Sequence, residues 1–244
     1  MFGLIRSWRR GRLGRRPFPP DWELILSKRF PHLMQLPADE AAQLRTVLKI
    51  FVWEKHWIGA QGLDPTDEMK VVIAGAAAEL ARGLALDAYD HLTEIVIYPG
   101  HYQHPNRGDA VVFGEVHSWG TMVLSWDAVQ HGIKNNDDGH NTAIHEFAHV
   151  LDNADGTFDG TPPLPELAAR RAWAKACTAH FLELRKKPHK NVVRKYGETN
   201  EAEFFACATE AFFEKPVQLA KKAPDLYAVL KAYYRVDPAA TRKR

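Results

Sequence analysis

Two cysteines in 244 residues, Cys177 and Cys207, are too few and too scattered for a disulfide framework or a cysteine-based zinc site. They fit reduced, buried thiols of a cytosolic protein. No apolar run approaches the ~18 residues needed to span a bilayer. The N-terminal "MFGLIRSWRRGRLGRRPFPP" also lacks the apolar stretch that follows the charges in a secretion signal, since its short "MFGLI" comes first. A cytoplasmic protein is expected. Acidic residues are missing from residues 1–16, which hold six arginines, and the last three residues, "RKR", are all basic. Taking those six and three charges from the net +2 leaves −7 on the body. A nucleic-acid-binding domain needs a basic folded surface, so direct nucleic-acid binding is not expected. Residues 1–20 and 237–244 read as basic tails, the first disordered and able to touch anionic lipid or an acidic partner.

The chain does contain an average share of core-forming residues, 45% hydrophobic and 25% charged. That suits one large domain or two lobes sharing a core. Residues 21–90 read as helical. "PADEAAQLRTVLKIFVWEKHW" starts with Pro37 and acidic residues and then repeats apolar positions at helical spacing, and Thr66 starts a second such segment. Residues 93–127 change character: "TEIVIYP", "AVVFGEV" and "TMVLSW" read as short strands with a turn at 118–120. Helices are expected again over 140–151, 164–187, 200–214 and 224–234, with "DNADGTFDGTPPLP" as a loop.

The chemistry lies in "HNTAIHEFAHVLD", where His145, Glu146 and His149 form H-E-x-x-H. Residues four apart on a helix stack on one face, so both imidazoles can aim at one metal ion. Glu146, turned by about 100° from His145, reaches a water on that ion without being a ligand. Zinc (Zn2+) suits the set, with Glu146 moving the proton during attack on a peptide bond. Ala143, Ile144, Phe147, Ala148, Val150 and Leu151 make the helix apolar over most of its circumference. Buried histidines and a buried glutamate there would be costly without a partner such as a metal.

A catalytic zinc usually takes a third protein ligand. Asp155 stands where a closely following histidine would be, but Asp152 replaces the glycine that such a turn needs. "GTFDG" offers Asp159, without the Tyr-Gly that would complete an aspartate-ligand element. The third source is "YGETNEAEFFACATEAFF", where Glu203 and Glu210 are seven apart and share a face with the small Ala206 and Cys207. Glu198 and Glu201 lie in the polar entry to that helix and read as solvated. Periodicity leaves Glu203 or Glu210 as ligand and the other as a supporting carboxylate.

"NTAIHEFAHVLD", "GTMVLSW", "EIVIYP" and "NEAEFFACATEAFF" in this order resemble the Mlc titration factor A family, over roughly residues 35–235. This is a family of bacterial zinc peptidases with a catalytic core similar to that of anthrax lethal factor. The resemblance implies His145, His149 and Glu203 as zinc ligands and Glu146 as the general base. It also implies Tyr196 as a donor to the oxyanion, and a phenol near the scissile carbonyl is chemically apt. Asp152 can orient a histidine through its free ring nitrogen or cap the helix end. Glu210 fits a supporting carboxylate and Cys207 fits packing, while His101, His104, His117 and His140 show no metal spacing. The family further implies a cytosolic peptidase of short peptides, aminopeptidase or endopeptidase, that binds the glucose-regulon repressor Mlc.

The expectation is thus an α+β protein. A helical N-terminal lobe (21–92) would precede a zincin-like metallopeptidase core (93–236) made of a small sheet, the active-site helix and C-terminal helices. "GTMVLSWDAV" is expected to be the edge strand along which a peptide or protein substrate adds.

Overall fold

Four of the described helices begin where a side chain accepts one of their first free amides. Thr66 accepts the amide of Met69 at 3.3 Å, Ser125 that of Ala128 at 3.3 Å, Asn141 that of Ile144 at 3.1 Å and Asn200 that of Glu203 at 2.8 Å. The computed structural model describes residues 2–103 and 111–241, so His104 and residues 242–244 lie outside the described residues.

The first half holds α1 (Phe2–Gly14), α2 (Pro20–Arg29), α3 (Ala38–Glu54), β1 (His56–Gly59), α4 (Asp67–Ala81) and β2 (Glu94–Tyr98). Next come β3 (Tyr102–Gln103), β4 (Val111–Val112), β5 (Gly114–Val116), β6 (Thr121–Ser125), α5 (Trp126–Lys134) and α6 (Thr142–Asp152). The chain continues with α7 (Leu167–Lys186), α8 (Glu201–Glu214), α9 (Pro216–Lys222), α10 (Pro224–Tyr234) and α11 (Pro238–Thr241). The protein is therefore mixed α+β and mostly helical, with a small four-stranded sheet.

That sheet has the order β1-β2-β6-β5. β1, β2 and β6 are parallel, with Ile95 opposite Trp57 and Met122, while β5 runs antiparallel to β6. Alternation along the strands buries Ile95, Ile97, Met122 and Leu124 against the helices. One hydrophobic core joins Trp22 and Leu26 of α2 to Leu226 and Tyr234 of α10, and α6 runs through it with every residue buried.

Four expectations are corrected here. Residues 21–90 are not all helical, because His56–Gly59 pairs with Glu94–Ile97 and so belongs to the same sheet as the later strands. "TMVLSW" is not an edge strand: β6 lies between β2 and β5, and β1 and β5 are the edges among the described residues. Residues 2–14 are not a disordered tail. Leu13 is buried, Arg10 pairs with Glu54 at 2.6 Å and with Asp90 at 2.8 Å, and Arg6 also pairs with Asp90. The Lys49 ammonium donates to the carbonyls of Gly14 and Arg16 at 2.6 and 2.5 Å, holding the end of α1. Acids on the body thus recruit the arginines inward, while Ile5 and Trp8 stay exposed. At the other end, Pro238 and Ala239 of α11 are buried, so the expected C-terminal tail is packed up to that helix.

Among the described residues no helix is long and apolar enough to cross a membrane.

Candidate metal centre

Helices α6 and α8 each start on an asparagine cap, and their packing brings the H-E-x-x-H face against the carboxylate face of α8. Glu203 Oε2 lies 2.9 Å from His145 Nε2 and 3.5 Å from His149 Nε2, and the two nitrogens are 3.2 Å apart. Ligands held about 2.0–2.1 Å from a tetrahedral zinc stand roughly 3.3–3.4 Å from one another. Two imidazole nitrogens and a carboxylate at that spacing fit such an ion.

The electrostatics favour a cation at this place. Burial opposes charge on His145, yet Glu210 and Glu203 outweigh it and hold the ring's pKa well above the ordinary value. Burial likewise works to raise Glu203, but hydrogen bonds from His145 and His149 hold its carboxyl far below the usual range. Surroundings that attract a proton's charge attract a metal's charge for the same reason.

Glu203 and Glu210 share the face that their spacing implied, and each meets a different nitrogen of one imidazole. Glu210 is fully buried, with Oε2 3.3 Å from His145 Nδ1 and Oε1 accepting the Asn141 amide at 2.9 Å. His145 Nδ1, Cys207 and Glu210 form a second group of possible ligand atoms. Arg194 already supplies the cation there: its Nε and Nη2 donate to Glu210 at 2.6 and 3.2 Å. The Glu203 set is therefore the better place for a metal.

Asp155 and Asp159 are absent from both groups. Their carboxylates accept the amides of Thr157 and Thr161 in exposed turns, which explains their place in that loop. Asp152 accepts the amide of Gly160 at 3.0 Å and so ties that loop to the end of α6. It makes no hydrogen bond to His149 among the described residues, and its Oδ1 and His149 Nδ1 are both buried without a partner. Burial pushes the Asp152 carboxyl up to about 6.

Glu146 lies beside the ligand set on the wall of a cleft formed by β5, the loop holding Phe158, and residues 196–203. Burial raises its pKa against the pull of both histidines, which suits a carboxylate that must hold a proton in passing. It fits only because β5 carries glycine opposite: a Cβ at Gly114 would lie 2.5 Å from Glu146 Oε1. Tyr196 is half exposed over the same cleft, its ring centroid 5.9 Å from that of His145.

Glu201 lines the cleft and is exposed, as expected. His117 stacks on exposed Trp119 with centroids 4.3 Å apart, and His101 lies 5.3 Å from Phe113. His140 is exposed, and partial desolvation lowers its pKa. None of these joins the ligand set. Sequence reasoning overlooked Arg194, Phe158 and Gly114. A fully buried Glu210 requires a counter-charge, and that requirement was the available signal for Arg194.

A family model described as glucose-regulated metallo-peptidase M90 matches residues 5–235. It takes in most of the Arg-rich segment, so the likeness begins well before residue 35. An uncharacterized protein of Synechocystis sp. is 35% identical over 248 residues, covering 95% of this chain and 90% of its own. Mlc titration factor A of Pectobacterium atrosepticum is 29% identical over 238 residues, covering 91% and 88%. Mlc titration factor A of Serratia proteamaculans is 29% identical over 226 residues, covering 85% of each chain.

Proposed function

The chain belongs to the glucose-regulated metallo-peptidase M90 family, and on that premise we propose that it hydrolyses peptide bonds with zinc held by His145, His149 and Glu203. The carrying observation is the convergence of those three donor atoms within 2.9–3.5 Å beside the buried carboxylate of Glu146. A zinc ion bound there supplies Lewis acidity, bringing the pKa of a water towards about 7.

The chain's own groups do the rest. Glu146 takes the proton of the attacking water and returns it to the leaving amine. The Tyr196 phenol donates to the carbonyl oxygen as it gains charge. The free edge of β5 accepts an extended segment by strand addition. Phe158 and Tyr196, two exposed aromatic side chains, line this cleft. Aromatic patches of this kind suit a peptide or protein substrate.

We read the core as zincin-like, with β1 (His56–Gly59) completing its sheet and the N-terminal helices packed on it, in a cytoplasmic protein. Zinc-loaded protein should cleave short peptide amides, and Glu146→Gln should bind zinc without cleaving them. Equal turnover by that variant overturns the reading.

Relatives carrying the name Mlc titration factor A favour a second role, binding a transcription repressor of the Mlc kind. In the alternative form of this reading the protein titrates a repressor without catalysis, and the zinc is structural. If Glu146→Gln still relieves repression in cells, binding is the biological output; if relief disappears with hydrolysis, catalysis is.

A further inference from the structure

His145 is held from both sides, and the group behind it has no part in the mechanism so far. A histidine that binds a metal through Nε2 keeps its proton on Nδ1 and donates it to an acceptor that fixes the ring. Glu210 is the carboxylate at that nitrogen, 3.3 Å away. Its position is in turn set by Arg194, whose Nε and Nη2 reach it at 2.6 and 3.2 Å from the turn that precedes α8. The same guanidinium lies over the Tyr196 ring, 5.2 Å from its centroid, and its Nη2, 3.0 Å from His145 Nδ1, donates to that nitrogen only while it is unprotonated; with a metal on Nε2 the Nδ1 proton turns to Glu210 instead. One side chain thus touches the carboxylate behind a metal ligand, the ligand's own ring and the tyrosine at the cleft.

We propose that Arg194 is a positioning residue of this centre, aligning Glu210 on His145 Nδ1 and holding Tyr196 against the cleft. The inference rests on the metallopeptidase reading. A guanidinium is suited to both tasks. Its planar fork sets the plane of a carboxylate through two hydrogen bonds, and its flat face stacks on an aromatic ring. An ammonium supplies the charge but neither the fork nor the stack. The two tasks therefore separate by substitution.

Arg194→Met removes both, and Arg194→Lys restores the charge beside Glu210 alone. Zinc affinity is measured by chelator competition, coordination geometry by the visible spectrum of the cobalt(II)-loaded protein, and turnover as kcat and KM on a peptide amide. Arg194→Met should weaken zinc binding about 10- to 100-fold, as loss of a ligand's supporting partner does, and change the cobalt spectrum. Arg194→Lys should regain most of the affinity while kcat stays about tenfold down at unchanged KM, because Tyr196 has lost its support. If Arg194→Met does not fold, Arg194→Lys alone decides. Wild-type kcat and cobalt spectrum in the lysine variant overturn the proposal, as does a lowered melting temperature with affinity, spectrum and kcat intact. The parent reading fails separately: a wild-type protein that neither binds zinc nor cleaves peptides sinks both. Loss of zinc in Glu203→Gln with no effect at Arg194 sinks only this inference.

Discussion

Gly114 on β5 and Glu146 on α6 compete for one small volume: a Cβ on Gly114 would sit 2.5 Å from Glu146 Oε1 and 2.6 Å from its Cγ. Gly114→Ala must therefore displace either the edge strand or the carboxylate. Overpacking of this kind costs about 1–3 kcal/mol. Thermal denaturation should show that loss, with bound metal unchanged and peptide hydrolysis reduced. A variant with wild-type melting and turnover would mean that the strand and helix are not in contact as described.

The choice between the two carboxylates of α8 is open to direct measurement. Zinc should raise the melting temperature of the wild-type protein, since a ligand at 100 times its Kd adds about 2.7 kcal/mol. It should do nothing for His149→Ala or Glu203→Gln. Glu210→Gln should still bind, about 10- to 100-fold more weakly. Elemental analysis of the purified variants checks this, and full zinc in Glu203→Gln with none in Glu210→Gln would reverse the assignment.

Tyr196→Phe removes one hydroxyl from a half-exposed ring and leaves its packing against Arg194. The expected result is a kcat about 10- to 1,000-fold lower, with KM and metal content unchanged. An unaltered kcat would take the phenol out of the mechanism.

Behind the metal centre, Glu214 of α8 accepts the side-chain amide of Asn141 at 3.0 Å. Burial pushes its carboxyl up to about 8; the Asn141 hydrogen bond opposes this, while Glu210, Asp138 and Glu79 add to it. The folded protein thus keeps a proton that the unfolded chain gives up near pH 4.5. Stability from this group is lost as pH rises from about 4.5 towards 8. Melting curves from pH 5 to 8 should fall less steeply for Glu214→Gln than for wild type, and parallel curves would refute the shift.

Arg10→Ala breaks the ties from α1 to Glu54 and Asp90. Amide hydrogen exchange should quicken over residues 2–14 and stay slow in α6. Exchange in α1 as fast in wild type as in the variant would return that segment to the disordered tail read from composition.

What was legible in the sequence was what has a period. The stacking of His145 and His149 and the common face of Glu203 and Glu210 follow from helical spacing, and both are seen. Neighbour relations between strands have no period: "TMVLSW" reads the same at the edge or beside it, so β6 was misplaced and the short β5 was undervalued. β1 went unseen because "HWIG" is four residues joined directly to a helix. The inward arginines of α1 and the pair of part-buried Arg194 with buried Glu210 depend on partners 16 to 80 or more residues away, and local composition is silent about those.

The proposed metal ligands are spread along the chain, and this orders events during synthesis. His145 and His149 leave the ribosome about fifty residues ahead of Glu203, and Arg194 and Glu210 flank that last ligand. At ordinary elongation rates of about 5–20 residues per second, the two histidines wait for several seconds without their carboxylates. A nascent or truncated chain that stops short of α8 carries two of the three proposed ligands on a helix that packs on α4 and β5 but lacks its α8 partner. On the proposed ligand set, tight capture of the ion becomes a late event that marks molecules whose C-terminal third has docked.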